Sequence, residues 1–300
     1  MSIISKIKDF FGLIRPINMF GVVIAVILGS LISGGFDFYL STICVISAFT
    51  AAAGGMVEND IVDLEIDKIN APERAIPSGR VSRKQAIIFM IVLFSISQSI
   101  IFLTNWLSIF IITTGNILIV LYSLKLKELG FIGNVIVGIT TGYCFLLGGA
   151  SFAGGLPIFS LPKFSIYITS PSLIRVVFPA VSAFLMNVGR EITKGIDDIK
   201  GDKEKGIRTL AVVLGPKRAR FFAISFYVAT IIFSIIPYLL KYFKIIYLLI
   251  AIFGVDTLLC YSIYSLLKDY SPKNAHKIKK IVMFGFYIGF FAFLLGIPIF

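Results

Sequence analysis

The fold class this sequence predicts is all-α: a multi-pass membrane protein with nine transmembrane helices and a cytoplasmic N-terminus. Three observations carry it. Hydrophobic residues make up 57% of the 300 and charged residues only 15%, with a mean hydropathy of +0.95, whereas a soluble domain carries about 25% charged residues. Apolar runs of about 18 residues or more, the length a bilayer core demands, recur along the whole chain. The cations also partition. Of 28 Lys and Arg, all but Lys163, Arg175, Lys241 and Lys244 fall in segments that nine spans would place on one side, and the positive-inside rule makes that side the cytoplasm.

The elements follow in order. Ile3, Ile4, Ile7, Phe10, Phe11 and Ile14 fall on one helical face of residues 1–14, with Lys6, Lys8 and Asp9 off it. That is the pattern of an amphipathic helix lying in the interface. The segment lacks a cleavable-signal pattern, so the first span is expected to be retained. Spans are expected at 17–34, 39–57, 85–103, 106–124, 132–153, 172–190, 220–240, 244–266 and 279–299. Two long polar inner loops, 58–84 and 191–219, share a D-x-x-x-D-K pattern at Asp63/Asp67/Lys68 and Asp198/Asp202/Lys203, a weak hint of duplication. Gly138 and Gly142 have the small-xxx-small spacing of close helix packing. Gly154, Gly155, Pro157, Pro162 and Pro171 mark 154–171 as an outer loop. The whole, 1–300, is one membrane domain.

The two acidic clusters carry the chemistry. Carboxylates at the ends of membrane spans are costly unless a cation or a positive ligand holds them. If 57–67 continues as helix, Asp60, Asp63 and Asp67 share one face, flanked by Asn59. In the second cluster Asn187, Glu191, Lys194, Asp198 and Asp202 line up, with Arg190 beside them. Mg²⁺ takes hard oxygen ligands and bridges a few carboxylates to substrate phosphates, so two such faces across a cavity suit Mg²⁺ and a diphosphate. Arg74, Arg80, Lys127, Lys194, Lys205 and Arg208 lie at inner positions and could hold phosphate oxygens. Tyr122 and Asn134 bracket the inner loop between the fourth and fifth spans and could hydrogen-bond phosphate.

Other signals are weaker or absent. The net charge of +12 is a topology signal plus attraction to anionic membrane lipid, so no nucleic-acid partner is expected. Cys44, Cys144 and Cys260 all lie in apolar spans and form no disulfide framework or CxxC metal pair. His276, the single histidine, is expected to be solvated; Asp256, an acid within the eighth span, is either functional or a hydrogen-bonded packing residue and is left out of the site. There is no phosphate-binding glycine loop, His-Glu-x-x-His or Gly-x-Ser-x-Gly.

At its motifs the chain resembles the UbiA family of intramembrane prenyltransferases. The resemblance is carried by N-D-x-x-D-x-x-x-D at Asn59, Asp60, Asp63 and Asp67 and by D-x-x-x-D at Asp198 and Asp202. Three further segments share it: Tyr122-Ser123-x-x-Leu126-Lys127 with Asn134, Arg190-Glu191-x-x-Lys194, and Lys205-Gly206-x-x-Thr209-Leu210 ending at Gly215. It implies nine helices around a central cavity and transfer of a prenyl group from a prenyl diphosphate. It also implies Mg²⁺ held by Asn59, Asp60, Asp63, Asp67, Asp198 and Asp202, with no obligate protein partner. The chain departs from the family at Gly195, where members often carry an acid; here Asp197 stands beside Asp198 instead. The run from Asp67 to Arg80 is similar to two branches of the family, one acting on chlorins and one in archaeal ether-lipid synthesis. The second motif is more similar to the archaeal branch, which joins geranylgeranyl diphosphate to the 2-hydroxyl of geranylgeranylglyceryl phosphate, a lipid-phosphate acceptor. An aromatic acid, a quinone precursor or a chlorin is the alternative acceptor. A cation transporter is the rival outside enzymes, disfavoured because transport sites lie near the midplane. The D-G-x-x-A-R lead-in of CDP-alcohol phosphotransferases is missing.

Overall fold

A computed structural model describes residues 3–153, 171–204 and 206–298. The elements are α1 (Ile3–Leu13), α2 (Pro16–Ile32), α3 (Phe38–Val62), α4 (Leu64–Asn70), α5 (Arg83–Ile101), α6 (Trp106–Leu124) and α7 (Phe131–Ala153). They continue with α8 (Pro171–Asp197), α9 (Ile199–Glu204), α10 (Leu210–Leu214), α11 (Pro216–Leu239), α12 (Ile245–Lys268) and α13 (Pro272–Gly296). No strand occurs among the described residues. Local chemistry sets the starts. Asp37, Ser82, Asn105 and Ser271 each accept a hydrogen bond from the backbone three residues on, and Pro16, Pro216 and Pro272 occupy first turns where their missing N–H goes unneeded.

Among the described residues, eight helices are long and apolar enough to span a membrane: α3, α5, α6, α7, α8, α11, α12 and α13. The expected first span is α2, with 17 residues, and α1 meets it at a 59° bend. Three expectations need correction. The last helix begins at Pro272 rather than near 279, because Ser271 caps it and Pro272 suits its first turn. The polar loops hold short helices, α4 in one and α9 and α10 in the other. Finally, the helix across 57–67 breaks at Asp63. The expected outer loop lies outside the described residues apart from Pro171.

Glycines bring α7 against two neighbours. A Cβ on Gly29 of α2 would run into the Phe145 carbonyl oxygen of α7, and one on Gly148 of α7 into the Val26 carbonyl oxygen of α2. On the other side, a Cβ at Gly142 would stand 3.0 Å from the Ala180 carbonyl oxygen of α8 and one at Gly138 2.7 Å from Val188, so the small-xxx-small spacing does serve packing. Three buried hydroxyls tie α2, α3 and α7: Ser30 to Ser41 at 2.9 Å and Ser41 to Ser151 at 3.0 Å. Asp256 ends a π-helical segment, Ala251–Asp256, and accepts the Ser234 hydroxyl at 2.8 Å, which keeps a buried acid hydrogen-bonded within the bilayer.

Gly148→Leu should therefore push α2 off α7 and destabilise the protein by about 1–3 kcal/mol or more. Gly21→Ala, where an added Cβ meets nothing within 4 Å, should be tolerated. Thermal unfolding in detergent, followed by loss of the monodisperse species, checks both.

Candidate active site

The first acidic arm is the inner end of α3 with α4. Asp60 is 5% exposed within α3, Asp63 forms the one-residue break, and Asp67, 6% exposed, lies in α4. Backbone bonds Asp63 N–H to the Asn59 oxygen (2.9 Å) and Asp67 N–H to the Asp63 oxygen (2.8 Å) carry the helical register across the break. Each acid faces a cation from a different element. Arg15 reaches Asp60 at 2.5 Å, Lys127 reaches Asp63 at 2.5 Å, and Arg74 reaches Asp67 at 2.6 Å and Asp60 at 3.6 Å. Asn59 accepts the Ser123 hydroxyl at 3.0 Å. Arg74 is placed by a turn whose Ala75 and Ile76 are buried against Leu13, Val57 and Ile61. Arg15 is non-glycine backbone in the left-handed region, φ 50°, a conformation that costs about 1–3 kcal/mol and aims its side chain at Asp60.

The second arm repeats the construction. α8 carries Asn187, Arg190, Glu191 and Lys194, Asp198 is a one-residue break, and α9 carries Asp202. Asp198 N–H bonds to the Lys194 oxygen (2.9 Å) and Asp202 N–H to the Asp198 oxygen (3.0 Å), matching the first arm bond for bond. Arg190 pairs with Glu191 at 2.6 Å, and Lys194 lies 3.9 Å from Glu191. Asp197 turns elsewhere, to Lys279 at 2.5 Å and His276 at 3.0 Å on α13. The extra acid of the motif thus braces α13 and stays out of the cluster, and His276, expected to be merely solvated, is its partner.

The arms converge. Tyr122 on α6 lies in the electrostatic field of Asp63 from one arm and of Glu191 and Asp202 from the other. Below them, a cavity of about 530 Å³ opens between α2, α3, α6, α7, α8 and α13. Its inner end is lined by Arg15, Asn18, Asn59, Tyr122, Arg190, Glu191 and Lys194, and its depth by Ala48, Ala51, Ile111, Ile112, Phe145, Phe286 and Phe290. It is charged at one end and apolar at the other.

This architecture matches known proteins over nearly its whole length. Residues 22–297 match the UbiA prenyltransferase family. The chain belongs to the UbiA prenyltransferase family. A relative from Methanosphaera stadtmanae, named digeranylgeranylglyceryl phosphate synthase, is 34% identical over 291 residues, covering 96% of this chain and 99% of its own. The protein of that name from Saccharolobus solfataricus is 34% identical, covering 97% of each. A solved structure described as digeranylgeranylglyceryl phosphate synthase in membranes is 32% identical, with a TM-score of 0.76 and coverage of 97% and 98%. A UbiA homologue from Archaeoglobus fulgidus bound to GPP and Mg²⁺ shares the fold at a TM-score of 0.65 and 16% identity, covering 95% of this chain and 99% of its own.

Within this UbiA prenyltransferase the remaining residues singled out by sequence fall as follows. Arg80 bonds Asp9 at 2.8 Å and the Glu73 carbonyl at 2.7 Å, pinning α1 to the loop after α4. Asn134 lies half-buried in the first turns of α7. Arg208 is exposed, and its backbone packs against Gly130 just before α7. Lys205 lies outside the described residues. Arg15 and Asn18 line the cavity without having been singled out, since both sit beside a helix start with no motif around them. Among the described residues no three His, Cys, Asp or Glu side chains form a ready metal cage; protein cations stand against the first arm's acids instead. The donor set is nevertheless all hard oxygen at the mouth of a cavity, which fits Mg²⁺ shared with phosphate.

Arg74→Ala uncovers two buried carboxylates and should destabilise by about 1–3 kcal/mol, whereas Arg80→Ala, an exposed tie, should cost less than about 1 kcal/mol. Melting curves of the two variants test this, and added Mg²⁺ should recover part of the loss in Arg74→Ala only.

Proposed function

We propose that this protein transfers a geranylgeranyl group from geranylgeranyl diphosphate to the glycerol 2-hydroxyl of geranylgeranylglyceryl phosphate, giving digeranylgeranylglyceryl phosphate, at the cytoplasmic face of the cell membrane. The observation that carries this reading is near-full-length similarity, at 31–34% identity, to seven relatives all named for that synthase. The site supports it chemically. Five cations, Arg15, Arg74, Lys127, Arg190 and Lys194, stand among the acids, and a reaction that brings together a diphosphate and a phosphate-bearing acceptor calls for such a cluster. The positive charge of the inner segments supports the cytoplasmic orientation.

In this reading Asn59, Asp60, Asp63, Asp67, Asp198 and Asp202 hold Mg²⁺, which when bound neutralises charge on the departing diphosphate. Arg15, Arg74 and Lys127 are already positioned at the acids, ready to turn to phosphate oxygens as these arrive. Lys194, Arg190 and the Tyr122 hydroxyl offer further donors to the leaving group. The allylic C–O bond breaks with its electron pair going to diphosphate. The acceptor oxygen bonds the freed carbon, and its proton passes to a carboxylate or to the released diphosphate. The apolar depth, with Ile111, Ile112, Phe145, Phe286 and Phe290, holds the prenyl chain and keeps water from the electron-poor carbon.

The test is prenyl transfer by purified protein in detergent with Mg²⁺ and geranylgeranyl diphosphate. Geranylgeranylglyceryl phosphate and 4-hydroxybenzoate compete, and products are read by mass spectrometry. A diether phosphate is expected, with Asp63→Ala and Asp198→Ala each lowering the rate by about 10²-fold or more while the variants stay folded. Prenylated hydroxybenzoate alone would overturn the acceptor; near-full activity of either variant would overturn the site.

A further inference from the structure

Asn187 stands at the boundary between the two chemistries of the cavity. It lies one helical turn below Glu191 on α8, about 6 Å deeper, and only 7% of it is exposed. It lines the cavity beside α7. Its side-chain nitrogen donates to the Thr141 hydroxyl at 2.7 Å and to the Val137 carbonyl at 3.4 Å. The Thr141 hydroxyl donates in turn to the same Val137 carbonyl at 2.8 Å. A carbonyl can only accept, so the amide nitrogen must face α7. The orientation of the amide is thereby set, and its oxygen Oδ1 is left for the cavity.

Three other polar side chains of the lining are committed differently. The Asn59 carbonyl takes the Ser123 hydroxyl, the Thr140 hydroxyl donates to Val137, and Asn116 turns its nitrogen to Ser97 and Gln98 with its oxygen sealed from the cavity. Asn187 is therefore an uncharged acceptor oxygen, fixed in direction, in the first polar layer beneath the charges. In the reading above the allylic carbon lies where the diphosphate among the charges meets the prenyl chain in the apolar depth, so the acceptor hydroxyl has to come to this same layer. A hydroxyl there needs somewhere to donate its hydrogen bond.

We infer that Asn187 receives the hydrogen bond of the acceptor's attacking hydroxyl and orients its oxygen toward the allylic carbon, with Thr141 positioning the amide. This rests on the acceptor reading above. The experiment measures binding without turnover: titration calorimetry of the wild type in detergent, with geranylgeranylglyceryl phosphate and with its analogue lacking the 2-hydroxyl. The wild type should prefer the hydroxyl compound by about tenfold. Asn187→Leu should bind the two alike, and Thr141→Val should narrow the preference. Both variants should keep the wild-type affinity for geranylgeranyl diphosphate, which also shows that they are folded. An unchanged preference in a folded Asn187→Leu overturns the inference while leaving the acceptor standing. A wild type that binds neither lipid phosphate overturns the acceptor reading and the inference with it.

Discussion

The inner end of this fold depends on neutralising carboxylates held at the ends of apolar helices. A buried acid there is costly without a partner, and Asp60, Asp63 and Asp67 of the first arm are each met by a cation from elsewhere in the chain. Asp60 draws in Arg15 from the α1–α2 junction, Asp63 draws in Lys127 from the α6–α7 turn, and Asp67 draws in Arg74 from the loop after α4. In the second arm Asp197 reaches α13 through Lys279 and His276. The acids therefore organise the ring of elements around the cavity mouth as well as lining it. The same attraction accounts for the left-handed backbone at Arg15, whose conformational cost is offset by an ion pair with a largely buried partner.

The membrane-embedded half is held by a different means. Lipid tails are as apolar as the helices, so close approach has to come from shape and hydrogen bonding. Gly29 and Gly148 let α2 and α7 meet backbone to backbone, and Gly142 does the same for α7 and α8. With α7 pulled tight to both neighbours, the space between α2, α3, α6, α8 and α13 stays open as the cavity. Small residues along α3, Ala48, Ala51 and Gly55, widen it further. Rigid contact on one side of α7 thus leaves room on the other.

The helical fold, the acid positions and the closeness of Gly138 and Gly142 to α8 were legible because each rests on local spacing: apolar run length, D-x-x-x-D, G-x-x-x-G. Pairings between distant residues were not. Arg15 carries no motif, and its partner Asp60 lies 45 residues away. The role of Asp197, beside Asp198, was open between a third acid of the cluster and none; a carboxylate at a helix end can turn either way, and the sequence does not say that Lys279 and His276 wait on α13. Asn187 was visible as a member of a helical face, but its amide direction depends on Thr141 and Val137 of the neighbouring α7. The break at Asp63 has no sequence signal, since no glycine or proline marks it.

The two arms are built alike yet differ in how they are covered. In both, a long span ends in a one-residue break at an aspartate and a short helix carries the next aspartate four residues on, with matching backbone bonds across the break. Asp60 and Asp67 are buried and wrapped by Arg15 and Arg74, while Asp198 is exposed and the second arm has Gly195 where the first has Asp60. The first arm is thus preformed, its oxygens fixed by packed neighbours before any ligand arrives. In the second arm Glu191 is held by Arg190, while Asp198 stands open to solvent. A polyphosphate entering between them would meet a rigid, cation-lined wall on one side and an adjustable acid on the other. That asymmetry suits a site that must grip one substrate and then accommodate the change of charge as its bond breaks.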